Sequence, residues 1–233
     1  MEYLSTLGQS WDSFDAYLFD IDGTLLHCAD AVHYFAFCDA LRNLSGRELT
    51  LEGVTAHGNT DIGILRDALA LAGIAESDWR PKLTNTCANM CSFVEERNQQ
   101  LRVTALPGVL RMLNHLKDKG AVLGIATGNL QDIGKQKLRK AGLLNYFEIG
   151  GWSDGYERRE DVFRSAVTLM RASVDETRSI CIVGDTPADI RAAHSNELPV
   201  IAVATGVYQL AELEAAGPEL CLRSFEDLFS IDR

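Results

Sequence analysis

The stretch AYLFDIDGTLLHCAD, residues 16–30, sets two carboxylates, Asp20 and Asp22, one residue apart where an apolar run stops. An aspartate ahead of a glycine often just forms a turn or caps a helix, and that reading accounts for Asp20 taken alone. Two like charges this close raise each other's pKa unless a cation neutralises them, and a divalent metal ion is the natural neutraliser. A further carboxylate for it stands at Asp185, at the end of the apolar CIVGD. Hard oxygen ligands with room for water and phosphate suit Mg²⁺. Asp20, Asp22 and Asp185 are therefore the expected metal ligands and Mg²⁺ the expected cofactor.

Other groups could complete such a site. Thr127, Gly128 and Asn129 combine a hydroxyl, a glycine amide open to close approach and a side-chain amide, which are good donors for phosphate oxygens. The same three residues also read as a turn after a strand. In GDTPADI, Pro187 suits the first turn of a helix and Thr186 its cap, so capping explains that motif by itself. Arg158 and Arg159, in GYERRED, bring positive charge just ahead of a helical segment, where a solvated helix start is the alternative.

These residues lie far apart in the chain, so a fold must gather them. Short apolar runs at 16–22, 121–129, 146–151, 179–186 and 199–206 lack strict alternation, the pattern of parallel strands covered on both faces. Helical patterns separate them, among them PGVLRMLNHLKDKG, with a proline near its start and a glycine past its end. Strand alternating with helix predicts an α/β fold, a three-layer Rossmann-like parallel sheet wound by right-handed crossovers. Ligands collect outside the carboxyl ends of such strands, where all four motifs fall. From Leu26 to about Leu101 the apolar residues instead recur three and four apart, predicting a helical insertion. The expected division is a core of residues 1–22 and 103–233 and a helical cap of 23–102.

Composition narrows the function classes. The 233 residues, 46% hydrophobic, suffice for a packed interior, and a formal net charge of −11 disfavours nucleic acid and anionic membranes as partners. No apolar stretch approaches a membrane span, and the first residues lack a signal-peptide pattern, so a cytoplasmic protein is expected. The six cysteines show no paired CxxC spacing and read as free thiols. Cys87 and Cys91 would share a helix face, but without a companion pair they make a poor metal site.

FDIDGTL (19–25), ATGN (126–129) and IVGDTPAD (182–189) resemble, in order, motifs one, two and four of the haloacid dehalogenase superfamily. The insertion after motif one is similar to the helical cap of its phosphoglycolate-phosphatase-like members. The resemblance implies a phosphatase in which Asp20 attacks phosphorus, Asp22 serves as general acid and base, and Mg²⁺ is held by Asp20, the Asp22 carbonyl and Asp185, with Asp189 orienting that shell. It implies that Thr127, Gly128 and Asn129 bind the phosphoryl oxygens. The family's usual motif-three lysine is missing, and Arg158 or Arg159 is the expected substitute. HGNTDIGIL (57–65) resembles the cap loop that faces the active site, so Asn59, Thr60 and Asp61 are candidates to meet the leaving group, helix capping being the competing reading. Having DxD favours phosphatase over dehalogenase, because a phosphate ester needs an acid for its leaving oxygen and a halide does not. The implied partner is a small phosphorylated metabolite, phosphoglycolate first and sugar phosphates next, acted on by a monomer or homodimer. The alternatives are a silent phosphate-binding protein and a mutase or phosphonate-cleaving relative, the latter needing a cap lysine for which only Lys82 is available.

Overall fold

The structure, a computed structural model, describes residues 5–174 and 178–231. In chain order its elements are β1 (Ala16–Phe19), β2 (Leu26–Cys28), α1 (Val32–Ser45), α2 (Asp61–Leu71), α3 (Glu76–Trp79), α4 (Leu83–Glu96), β3 (Val103–Ala105) and α5 (Val109–Asp118). Then follow β4 (Val122–Ala126), α6 (Gln131–Lys140), β5 (Ile149–Gly151), α7 (Arg159–Ser173), β6 (Ile180–Gly184), α8 (Pro187–His194), β7 (Val200–Val203), α9 (Leu210–Ala215), β8 (Leu220–Leu222) and α10 (Leu228–Ile231).

Six strands form one parallel sheet in the order β5-β4-β1-β6-β7-β8, with β1 between β4 and β6. Strand periodicity sorts its side chains into two layers. Tyr17, Phe19, Leu123, Ile125, Cys181 and Val183 face a core that includes Met112 and Leu116 of α5 and Ile133 and Leu138 of α6. Ala16, Leu18, Ile180, Ile182, Val200 and Ala202 face the other way, onto Phe163 and Met170 of α7, Ile190 of α8 and Leu213 of α9. Helices cover both faces, which is why these strands read as continuous apolar runs rather than alternating ones. The expected α/β sheet is present, with β8 added to the strands expected from sequence.

The expected strands ran too far at their C-terminal ends. β1, β4, β6 and β7 stop at Phe19, Ala126, Gly184 and Val203. The residues after them leave the sheet as loops along one edge, and those loops carry Asp20, Asp22, Thr127 to Asn129, Asp185 and Gly206. After β1 the chain closes a tight turn in which Leu25 N–H and Leu26 N–H both donate to the Ile21 carbonyl, at 2.9 and 3.1 Å.

Between β2 and β3 lie the four helices α1 to α4. α1 buries Val32, Ala36, Phe37, Ala40, Leu41 and Leu44, a stripe at three- and four-residue spacing. That stripe shares a core with Leu65 and Leu69 of α2, Trp79 of α3 and Met90 and Val94 of α4. β2 and β3 pair antiparallel, Leu26 opposite Ala105, a ribbon too short to show in the sequence, and it ties the helical insert to the core at both ends. No helix among the described residues is long and apolar enough to cross a membrane.

Candidate active site

Asp20 leaves β1 with its N–H donating to the Val183 carbonyl at 3.0 Å, so the backbone of β6 fixes where the carboxylate starts. Asp185 leaves β6 alongside, and Asp189 lies in the first turn of α8. One oxygen from each of Asp20, Asp185 and Asp189 falls within 4.8 Å of the others, and all three side chains are buried. Burial raises the Asp20 carboxyl to about 6, against the pull of the Arg159 guanidinium, and the Asp189 charge adds to the rise. Burial and the charges of Asp20 and Asp189 likewise push Asp185 well above the usual carboxylate range, although Thr24 donates to it at 2.8 Å.

Arg159 is the cation in this group. Its side chain, 6% exposed, donates to Asp189 Oδ1 from Nε and Nη2 at 2.8 and 2.6 Å, and Nη2 forms an ion pair with Asp20 Oδ2 at 2.8 Å. Arg158 points the other way: its side chain is 69% exposed and its nearest carboxylate is Glu160, at 3.6 Å. Of the two expected arginines only Arg159 is in place; Arg158 precedes α7, makes no side-chain capping bond and does not line the cavity between cap and core. Asp189 Oδ2 accepts the Thr186 N–H and hydroxyl at 3.0 and 2.7 Å. With Arg159 on its other oxygen, that carboxylate's acceptor positions are filled, so Asp189 orients Arg159 and caps α8 instead of facing an ion.

Three carboxylates against one guanidinium leave two negative charges in a buried space, the charge a divalent cation balances. Crowding at Asp185 fits the same purpose. A Cβ on Gly206 would stand 1.8 Å from its Oδ2, and one on Gly23 2.3 Å, so the loops after β1 and β7 close on this carboxylate only because both positions are glycine. Asp20 and Asp185 are the side chains with oxygens left for an ion; the donor set is hard and suits Mg²⁺.

Asp22 stands apart from the acid cluster. Its carboxylate, 39% exposed, accepts from Lys137 Nζ at 2.7 Å, Asn129 Nδ2 at 2.8 Å and the Cys28 thiol at 3.3 Å. Burial opposes its charge, but the Lys137 ammonium and the Asn129 amide outweigh that and hold it at about 2. The Asn129 side chain, expected as a phosphate donor, is thus bound to Asp22 and, through its oxygen, to Lys137 at 2.7 Å. Thr127 hydrogen-bonds to Asp20, which lowers that carboxyl's pKa, and keeps the place expected for it. Gly128 is needed for a different reason from the one its motif suggests: a Cβ there would stand 2.1 Å from the Asn59 carbonyl of the cap.

The cap residues expected to meet a leaving group mostly hold the cap down. Thr60 caps α2 by accepting the Gly63 N–H at 2.9 Å and donates to the Glu157 carbonyl at 2.9 Å. The Asn59 side chain donates to Asp67 at 2.9 Å and accepts the Thr60 N–H. Asp61 makes a two-way clasp with the core, its N–H donating to the Gly128 carbonyl and its Oδ2 accepting the Leu130 N–H, both at 2.8 Å. Thr60 is therefore corrected to a structural cap, while Asn59 and Asp61 form cavity wall whose polar atoms are already engaged.

The cavity between cap and core, about 470 Å³, is lined on the core side by Asp20, Asp22, Thr127, Gly128, Arg159 and Asp185, and on the cap side by His33, Phe37 and Ile64 among others. Lys137 also lines it and was not foreseen, nor were His33 and Thr24. For Lys137 a signal existed: in LQDIGKQKL it shares the inward face of α6 with Leu130, Ile133 and Leu138, where a charge needs a partner. The thiols of Cys87 and Cys91 line a second cavity between α4 and the core, and the only metal-like acid, thiol or imidazole cluster among the described residues is the one at Asp20.

Comparison with known proteins gives a consistent family. The model for haloacid dehalogenase-like hydrolases matches residues 17–203. A probable phosphatase, IndB, of Dickeya dadantii is 26% identical over 212 residues, 91% of this chain and 90% of that protein. A phosphoglycolate phosphatase of Rhodospirillum rubrum is 25% identical over 224 residues, covering 93% and 88%. In structure, CbbY of Rhodobacter sphaeroides, solved with phosphate, superposes with a TM-score of 0.67 over 94% of this chain and all of that one, at 19% identity, a likeness of fold.

Proposed function

The chain belongs to the haloacid dehalogenase-like hydrolases, and from that premise we propose that it is a Mg²⁺-dependent phosphatase of small phosphate monoesters. The observation that carries the reading is the convergence of Asp20, Asp185 and Arg159 on one side of the cavity between core and cap with Asp22 on the same wall. The relatives named phosphatases support it.

Asp20 and Asp185 would hold the ion together with the Asp22 carbonyl. When bound, Mg²⁺ supplies charge neutralisation for the carboxylates and for the phosphoryl oxygens. Arg159 and Asp185 surround Asp20, so its carboxylate is fixed in place and presented to the phosphorus that Thr127 and Gly128 help to seat. An Asp20 oxygen forms a bond to phosphorus as the bond to the leaving oxygen breaks, giving an aspartyl-phosphate on this chain. The leaving oxygen takes a proton from Asp22. Water then attacks the same phosphorus, giving its proton to Asp22, and phosphate departs. Lys137 and Asn129 hold the Asp22 carboxyl low; the negative charge of a phosphate monoester brought beside it raises its pKa toward the protonated form that the first step needs.

Closure of the cap over these groups excludes water and suits a small metabolite better than a phosphoprotein. Phosphoglycolate, from the relatives, and sugar phosphates are the substrates to try first. The test is p-nitrophenyl phosphate hydrolysis with Mg²⁺ and with chelator, by wild type and Asp20→Asn. Activity dependent on both metal and Asp20 supports the reading; activity that survives either loss refutes it.

A further inference from the structure

The acid and base role of Asp22 needs a fixed carboxylate, yet Asp22 stands on a loop and is partly exposed. What fixes it is Lys137. Its side chain is 4% exposed, and its ammonium lies 2.7 Å from Asp22 Oδ2, 2.7 Å from Asn129 Oδ1 and 3.1 Å from His33 Nδ1. An ammonium has three hydrogens and no acceptor, so these three partners use all of them, and no donor remains for an anionic group on a substrate. An ammonium can only donate, so His33 Nδ1 accepts; His33 Nε2 lies 3.3 Å from Asp61 Oδ2 without a hydrogen bond to it. His33 and Asp61 belong to cap helices α1 and α2, while Lys137 is on core helix α6. His33 is kept upright by stacking on Phe37, ring centroids 4.8 Å apart.

We propose that Lys137 is a positioning residue that aims Asp22 at the leaving oxygen and that the cap, through His33, completes its coordination when seated. The proposal rests on the phosphatase reading above and adds to it a residue that no motif of the chain contains and a route by which cap seating reaches the proton donor. Lys137 is buried on α6 together with Ile133 and Leu138, yet its ammonium meets only polar groups, Asp22, Asn129 and His33, at the wall of the cavity. The arrangement makes sense if the ammonium is there to hold two acceptors, Asp22 and Asn129, at a set separation.

The consequence is specific to the leaving group. In the first step the bond from Asp20 to phosphorus forms, the bond to the leaving oxygen breaks, and that oxygen takes the Asp22 proton. An alkoxide needs the proton; p-nitrophenolate departs without it. kcat/KM reports this step, whereas kcat can also report the later attack by water. The experiment therefore compares kcat/KM for glycerol 1-phosphate and p-nitrophenyl phosphate in wild type, Lys137→Met and Asp22→Asn. Lys137→Met should lower kcat/KM for the alkyl ester by about 10²-fold, the lower bound for general acid catalysis, and for the aryl ester by less than about tenfold. In the Asp22→Asn background the same change should add almost nothing, because the two residues act as one unit. Lys137→Met leaves Asp22 without its counter-charge and should lower Tm, so the comparison is made at a temperature where thermal unfolding shows every variant folded. Equal losses on the two esters, or additive losses in the double variant, would overturn the proposal. Should Lys137→Met fail to fold, His33→Gln, which removes only the third partner, decides by the same ratio of esters, and an unchanged ratio overturns it. Wild type inactive on both esters instead removes the phosphatase reading itself.

Discussion

Arg159 is the counter-charge of the acid cluster, and replacing it with alanine shows what that cluster costs the fold. The change removes two charge-assisted hydrogen bonds to Asp189 and the ion pair with Asp20. Deleting one partner of a buried ion pair typically destabilises by about 3–5 kcal/mol, because the other charge is left without compensation. Asp20 limits the damage: its carboxyl already sits at about 6 beside the guanidinium, and without it the group takes up a proton at neutral pH. Asp189 loses both guanidinium bonds on one oxygen and keeps only those from Thr186 on the other. The expected cost is therefore near the lower end, about 3 kcal/mol, and for a chain of this length about 6–12 °C in Tm. Circular dichroism melts of wild type and Arg159→Ala at neutral pH, both in chelator, measure it. Arg159→Lys should fall between the two, because one point charge cannot span both carboxylates. A Tm for the alanine variant within about 2 °C of wild type would refute the assignment of Arg159 as the neutralising charge.

Three other perturbations test separate parts of the account. Gly206→Ala puts a methyl 1.8 Å from Asp185 Oδ2, where contact needs about 3.5 Å, so the carboxylate or its loop must move by more than about 1.5 Å; turnover of p-nitrophenyl phosphate should fall by about 10²-fold, and wild-type turnover would contradict the crowding. For Asp20, a folded value of about 6 against an ordinary 3.8 means the ionised form destabilises the metal-free fold. That penalty is full above about pH 6 and gone below about pH 4, so metal-free Asp20→Asn should have its greatest advantage in Tm over wild type above pH 6 and lose it toward pH 4; an advantage that grows on acidification has the sign wrong. Asp61→Ala leaves the buried Leu130 N–H without its acceptor, costing about 1–3 kcal/mol in urea unfolding, and an unchanged midpoint would mean the clasp between cap and core carries no weight.

Much of this was legible in the sequence because the signals are local. Apolar runs without alternation marked β1, β4, β6 and β7, and the aspartates at two of their ends marked the site. What escaped depends on partners distant in sequence. Lys137 meets Asp22 across 115 residues, and only the helical face it occupies hinted that it was inside. Asn129 looked like a phosphate donor because its motif ends a strand, but the nearest carboxylate and ammonium claim its amide. Arg158 and Arg159 were indistinguishable until helix α7 fixed which of two adjacent side chains turns inward. Thr60 to Asp61 carried both a capping and a binding reading, and the observed bonds to Gly63, Gly128 and Leu130 favour capping and docking. The β2–β3 ribbon and β8 are three residues per strand, too short for any period to register.

The central claim is that Asp20 accepts the phosphoryl group. Rapid acid quenching during turnover of p-nitrophenyl phosphate with Mg²⁺, followed by proteolysis and mass spectrometry, tests it directly. The account predicts one added phosphoryl group on the peptide containing Asp20, absent from Asp20→Asn and from the chelator control. A phosphoryl group on another residue, or an active enzyme that never carries one, contradicts it.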